Sequence, residues 1–270
     1  MRAITLLFFL FLFQIPEGQA QVEETIEPEY IRTIQFKGTS AQSRLPIIEL
    51  GQKLQLSFDD IIGNEADYFY TIGHFNFDWT PSDLSKGEYL DGFDDVRIET
   101  YENSFNTLQL YSNYKLSIPN RETRAIKKSG NYLLRIFNDD GEIVFSRKFM
   151  VLERVLSVEV EIKRSRIIKN IDQQQVVQFK INSPNLLLIN PKQNVKTLVL
   201  QNNNLKTAIT NLKPLYTIGS ELIYKYDQEA AFWGGNEFLF FDNKDLRSST
   251  NGVRYVELNE LYENFLFTNI

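Results

Sequence analysis

Cysteine is absent from this chain of 270 residues, and histidine occurs once. The first absence removes thiolate catalysis, disulfides and Cys-bound zinc. The second rules out His-rich metal centres and leaves His74 as the sole imidazole available to activate a serine. No G-x-S-x-G turn holds such a serine. Glycine-rich phosphate loops are missing too, because Gly234-Gly235 stands without a following Lys-Ser/Thr. Basic excess is lacking: 29 Lys+Arg face 35 Asp+Glu, a net charge of −6, which argues against charge-driven binding to nucleic acid or an anionic membrane. Beyond the first residues no run is apolar enough to span a bilayer as a helix.

The first residues differ. Arg2 precedes an apolar run from Ile4 to Phe13, Pro16 breaks it, and Gly18 and Ala20 occupy the −3 and −1 positions of a cleavage after Ala20. Residues 1–20 therefore read as a cleaved secretory signal peptide. The mature chain keeps 28 basic and 34 acidic residues. Exported without disulfides, it must be stabilised by buried apolar surface.

Period-two alternation fills the rest. "KLQLSFDD" sets Leu54, Leu56 and Phe58 on one face; "YFYTIGHF" sets Tyr68, Tyr70, Ile72 and His74 together; "SVEVEIK" alternates Val158, Val160 and Ile162 with Glu159 and Glu161. Phe and Tyr number 21 and 13, which suits pleated sheets. "NDDG" (138–141) reads as a hairpin connection, as does "QNNN" (201–204). The expected fold is all-β, two consecutive immunoglobulin-like antiparallel β-sandwich domains. They are placed at 28–153 and 154–270, after a flexible N-terminal segment at 21–27.

The stretch "HFNFDWTPSDLSKGEYLDGF" (74–93) concentrates chemistry. Asp78, Asp83, Glu88 and Asp91, with Asp94 and Asp95 just beyond, are the material for a glycosidase carboxylate pair or for a calcium loop at "DGFDD". The EF-hand spacing is absent, so no catalytic residue, metal ligand or cofactor is assigned. His74 fits a hydrogen-bonded, part-buried residue better than a base. Trp79 with Thr80-Pro81 suits an aromatic plug where the chain leaves the sheet. Ser82 or Asp83 would cap a short turn.

Taken in order, "PIIELGQKLQLSFDDI", "YFYTIGHFNFDWTPSDLSKGEYLDGF", "ENSFNTLQLYSNYKLSIPN", "SGNYLLRIF" and "SRKFMV" resemble the first domain of type IX secretion system plug proteins. "INPKQNVKTLVLQNNNLKTAI" and "FWGGNEFLFFD" extend the likeness, so that it covers about residues 30–258. The resemblance implies a non-catalytic periplasmic gating subunit. It would dock on the inner side of a large outer-membrane β-barrel translocon, its partner, and close the idle channel; in some members the system also serves gliding motility. Two departures stand out: Leu239 replaces a customary Arg, and the chain stops at "LYENFLFTNI" where members continue with further β-structure. Exposed aromatics are the natural anchors for docking, and Trp79, Tyr89, Phe93 and Trp233 are the candidates. The competing reading is an exported carbohydrate-binding β-sandwich, which would carry an aromatic row on a solvent-facing sheet.

Overall fold

The computed structural model describes residues 21–39, 44–235, 240–245 and 252–268. Residues 1–20, expected to be a signal peptide, and Leu239 lie outside them. The chain divides into two compact units between Arg154 and Val155.

In the first unit the strands are β1 (Ile31–Gly38), β2 (Ile47–Glu49), β3 (Leu54–Asp60), β4 (Phe69–Phe75), β5 (Leu90–Gly92), β6 (Val96–Arg97), β7 (Thr100–Asn103), β8 (Ser112–Ile118), β9 (Thr123–Ile126), β10 (Gly130–Phe137) and β11 (Ile143–Leu152). A single helical turn, α1 (Lys86–Tyr89), precedes β5. One sheet has the order β1-β3-β8-β7, the other β2-β11-β10-β4-β6, and β5 pairs with β9 as a ribbon. Pairing is antiparallel except for β2, which runs parallel to β11.

Alternation built this sandwich. Leu54, Leu56 and Phe58 of β3 are buried, as are Tyr70 and Ile72 of β4 and Tyr132, Leu134 and Ile136 of β10. Aromatic rings lock the layers: Phe58 meets Phe145 of the opposite sheet edge-on at 5.2 Å, and Phe36 meets Phe149 at 5.8 Å. Edge-to-face packing of this kind adds to area burial. The buried Tyr68 hydroxyl donates to Asp60 at 2.8 Å. Gly141, at φ 77°, closes the β10–β11 hairpin in the expected "NDDG" turn.

Residues 21–27, expected to be flexible, are instead strapped to β11. Ser146 N donates to the Thr25 carbonyl, and Thr25 N donates to Ser146 Oγ. Lys148 N donates to Glu24 Oε1, Arg147 pairs with Glu27, and Val22 N donates to the Trp79 carbonyl. The reason lies in the sheet: β2 pairs with β11 only at Met150–Leu152, so the edge before it needs partners. The Arg147 guanidinium, hydrogen-bonded to Glu27, holds that carboxyl below its ordinary value of 4.5. A depressed folded-state pKa contributes stability above the unfolded value and loses it as pH falls through the folded one. The strap should thus loosen on acidification below pH 4.5, seen as loss of the Thr25 amide's native NMR shift. Glu27→Gln should flatten that response; an unchanged profile would mean the pair does not hold the strap.

The second unit contains β12 (Ser157–Arg164), β13 (Gln174–Asn182), β14 (Leu198–Val199), β15 (Ile209–Thr210), β16 (Tyr216–Ile218), β17 (Glu221–Tyr224), β18 (Ala231–Trp233), β19 (Val253–Leu258) and β20 (Tyr262–Leu266). It is all-β as well. One sheet runs β12-β13-β17-β16 with β18 on the start of β13, and β14–β15 and β19–β20 are separate ribbons. Val199 and Ile209 of the first ribbon pack on a small core of Phe179, Ile181, Leu212, Leu222, Tyr224 and Ala230. The "QNNN" reversal is longer than a tight hairpin: Asn202 and Asn203 take positive φ before a turn of 3-10 helix at Leu205–Thr207. The alternating stripe Val158, Val160, Ile162 is exposed, because β12 is an edge strand that this ribbon does not cover.

Candidate docking surface

The 74–95 stretch leaves β4 through a tight reversal. Asn76 N donates to the Thr80 carbonyl, Trp79 N donates to the Asn76 carbonyl, and Asp78 Oδ1 accepts from both Thr80 N and Thr80 Oγ1. Those Thr80 hydrogen bonds hold the Asp78 carboxyl below its ordinary value. Trp79 itself sits at φ 66°, a conformation rarely given to a large residue. The strain turns its indole back over the outer face of the sheet. There it lies 6.4 Å from the Phe75 ring, with the Lys148 ammonium 4.5 Å above it. Leu133, directly opposite Lys148 on that face, is buried although it points away from the core. Trp79 therefore does act as a plug, half-buried and engaged.

His74 is clamped between elements. Its Nδ1 lies 2.7 Å from Ser82 Oγ and its Nε2 3.4 Å from the Ser129 carbonyl, with the Tyr132 ring edge-on at 4.9 Å. A histidine–serine pair invites comparison with a nucleophile and base. The far nitrogen, however, meets a backbone carbonyl rather than an orienting carboxylate, and no array of donors for an oxyanion faces Ser82 among the described contacts. Since Ser82 is committed to His74, the helical turn is capped elsewhere. Ser85 and Glu88 form a capping box, Ser85 N donating to Glu88 Oε2 at 2.8 Å. Hydrogen bonds from the Ser85 hydroxyl and, after it, the Ser85 N–H lower the Glu88 pKa.

The remaining carboxylates are dispersed in the same way. Asp91 pairs with Arg124, and Asp94 accepts from Ile72 N at 2.7 Å while pairing with Lys86. They are not aimed at a common point where a sugar bond or calcium ion would sit. Among the described residues no group of three His, Asp or Glu side chains has metal-site geometry.

The four aromatic candidates separate sharply. Tyr89 is 6% exposed: its ring stacks on His74 at 5.6 Å and its hydroxyl donates to the Ile72 carbonyl. It is a core residue and is withdrawn as an anchor. Phe93 is 71% exposed, yet its backbone is fixed on both sides, N–H to the Glu122 carbonyl and C=O from Thr123 Oγ1. Thr123 Oγ1 accepts in turn from Tyr70, whose oxygen accepts from Asn120 Nδ2, so a buried chain of hydrogen bonds steadies an exposed ring. Trp233, in the second unit, is 58% exposed at the end of β18. Alternation could not have told Tyr89 from Phe93, since a helical turn and Gly92 at φ 96° intervene.

A further exposed group escaped the sequence reading. Ile62, Phe105, Leu108 and Leu110 project from the loops joining β3 to β4 and β7 to β8. The outer face of the β1-β3-β8-β7 sheet is by contrast polar, lined by Gln35, Lys37, Gln55, Ser57, Lys115 and Ser117.

Comparison with known proteins agrees with this architecture. Residues 31–153 match the family model described as Type 9 secretion system plug protein 1st domain. A crystal structure at 2.30 Å of a hypothetical protein from Parabacteroides merdae ATCC 43184 superposes with a TM-score of 0.78 at 31% sequence identity. The match covers 92% of this chain and 64% of that one, so this chain spans less than two-thirds of that protein's length. Among curated proteins there is no match.

Proposed function

We propose that this chain, whose residues 31–153 match the family model of the type 9 secretion system plug protein 1st domain, is a non-catalytic gating subunit of that system. It docks from the periplasm on the outer-membrane barrel through which cargo leaves, and closes the barrel's inner opening while no cargo is passing. The match at residues 31–153 supports a place in that secretion system, and none of the described helices is long and apolar enough to cross a membrane. Occupying a wide pore calls for a body that resists deformation, and the first unit answers with two sheets interlocked by aromatic rings.

The observation favouring this role over sugar binding is where the aromatics go. Tyr68, Tyr70, Tyr114, Tyr132, Phe58, Phe145 and Phe149 are all inside, and the outer face of the β1-β3-β8-β7 sheet is amide, hydroxyl and ammonium. Sugar rings stack on exposed aromatic rows, and that face offers none. Native co-purification from outer-membrane extracts tests the role. Recovery of a large barrel with the protein is the expected result; recovery alone, with measurable oligosaccharide affinity, would overturn it. Phe93→Ser should weaken capture about tenfold if that fixed, exposed ring is an anchor, without lowering thermal stability.

A further inference from the structure

We infer that the paired loops at 61–64 and 104–111 form the docking tip of the first unit, and that its ligand is an apolar protein socket with a basic rim. The inference rests on the gating role, to which it assigns a contact surface.

The two loops are one structural feature. Gln109 Nε2 donates to the Ile61 carbonyl at 2.8 Å and to the Leu110 carbonyl at 3.0 Å. Gly63, at φ 72°, packs so closely that an added Cβ would lie 2.8 Å from Leu110 Cβ. The longer loop is pinned at its base, where Ser104 N donates to the Tyr111 carbonyl and Tyr111 N donates to Ser104 Oγ. Thr107 Oγ1 donates to the Gln109 carbonyl near the crest, and Asp60 Oδ1 accepts from Ile62 N. Asp60 is itself buried and held by Tyr68.

On this frame stand four apolar side chains that belong to neither hydrophobic core. Phe105 is 93% exposed, Leu108 is fully exposed, and Ile62 and Leu110 are more than half exposed. Four large apolar groups on two mutually braced loops form a patch of the kind that marks an interaction site. Because hydrogen bonds already order the loops, little conformational freedom remains to be lost on binding.

Charge identifies the partner. The polar residues at the foot of the tip are acidic or amide: Asp59 beside Asn113, and Glu65 between Tyr101 and Asn103. Hydrogen bonds from Tyr101 and Asn103 hold the Glu65 carboxyl below its ordinary value, so it is anionic at neutral pH. Of the nearby cations Arg97 pairs with Asp67 and Lys115 with Glu102, and Arg32 lies opposite Asp59 in the β1–β3 register, where it offsets that one charge. An acidic collar beneath an apolar crest repels anionic headgroups and complements a socket rimmed by Lys or Arg. This favours a protein surface over a lipid bilayer.

The test uses the full chain and the purified type 9 outer-membrane barrel in detergent, with affinity measured by interferometry. Phe105→Ser/Leu108→Ser should lower affinity about thirtyfold or more. Glu65→Lys should lower it less, with a weaker salt dependence than the wild type. Unaltered melting curves show that the variants fold, as expected for side chains so fully exposed. If the wild type binds and the double variant binds equally well, the tip is not the docking surface and the gating role survives. If the wild type does not bind the barrel, the gating role itself falls. Flotation with zwitterionic or anionic vesicles, abolished by the same double variant, would replace the socket with a membrane and overturn the inference.

Discussion

Gly92→Ala is expected to destabilise the first unit by about 3 kcal/mol or more, lowering its melting temperature by on the order of 10 °C. Two costs combine. Gly92 sits at φ 96°, which side chains rarely adopt. Its Cβ position also falls inside the Glu122 carbonyl oxygen, with Arg124 N a further 3.1 Å neighbour. These are backbone atoms of β9 and the turn before it, so no side chain can swing aside to make room. Relief requires β5 to part from β9, which would break the Phe93 N–H bond to Glu122 and the Thr123 bond to the Phe93 carbonyl. The variant should therefore lose Phe93 positioning and barrel affinity together, whereas Phe93→Ser loses affinity alone. Calorimetric melting beside affinity measurement separates the two. A Gly92→Ala protein that melts like the wild type would mean the ribbon yields freely and holds nothing in place.

How much of this was legible in the sequence depends on how far each interaction reaches along the chain. Leu54, Leu56 and Phe58 were readable as an inward face, and Gly141 as a hairpin turn, because pleat and turn are local properties. Val158, Val160 and Ile162 show the same alternation and are exposed. Alternation announces two faces of a strand; it does not say whether a second layer covers either. The strap at 21–27 looked disordered because its own residues are acidic and uncohesive. Its order comes from Ser146, Arg147 and Lys148, more than a hundred residues away. Phe105, Leu108 and Leu110 were hidden for the opposite reason: scattered among Asn, Ser, Thr and Gln, they follow neither strand nor helix period. The "WTPSD" segment was readable as an aromatic plug where the chain leaves the sheet, yet Trp79 at positive φ and the His74–Ser82 contact are tertiary outcomes.

Asp94→Ala should cost about 2–4 kcal/mol, although the residue lies in an irregular crossover and looks dispensable by sequence. The reason is an incomplete sheet. Strand β6 pairs with β4 only at Phe69 and Tyr70, leaving the Ile72 backbone on an open edge next to the core. The crossover supplies what a longer strand would have given: the Asp94 carboxylate accepts from Ile72 N, and the Tyr89 hydroxyl donates to the Ile72 carbonyl. Asp94 is almost wholly buried, and Lys86 balances its charge from a half-exposed position. Truncation leaves a buried N–H unpaired and an ammonium without its partner. Asp94→Asn keeps an acceptor for Ile72 N and should recover roughly half of the loss, because the amide oxygen serves the N–H while the charge is gone. Tyr89→Phe removes the other half of the mimic, and its buried carbonyl should cost about 1 kcal/mol. A double-mutant cycle between positions 89 and 94 is expected to show coupling, since both act on one peptide edge. Strict additivity, or an Asp94→Ala protein with unchanged denaturant midpoint, would mean that water serves the edge as well as the crossover does.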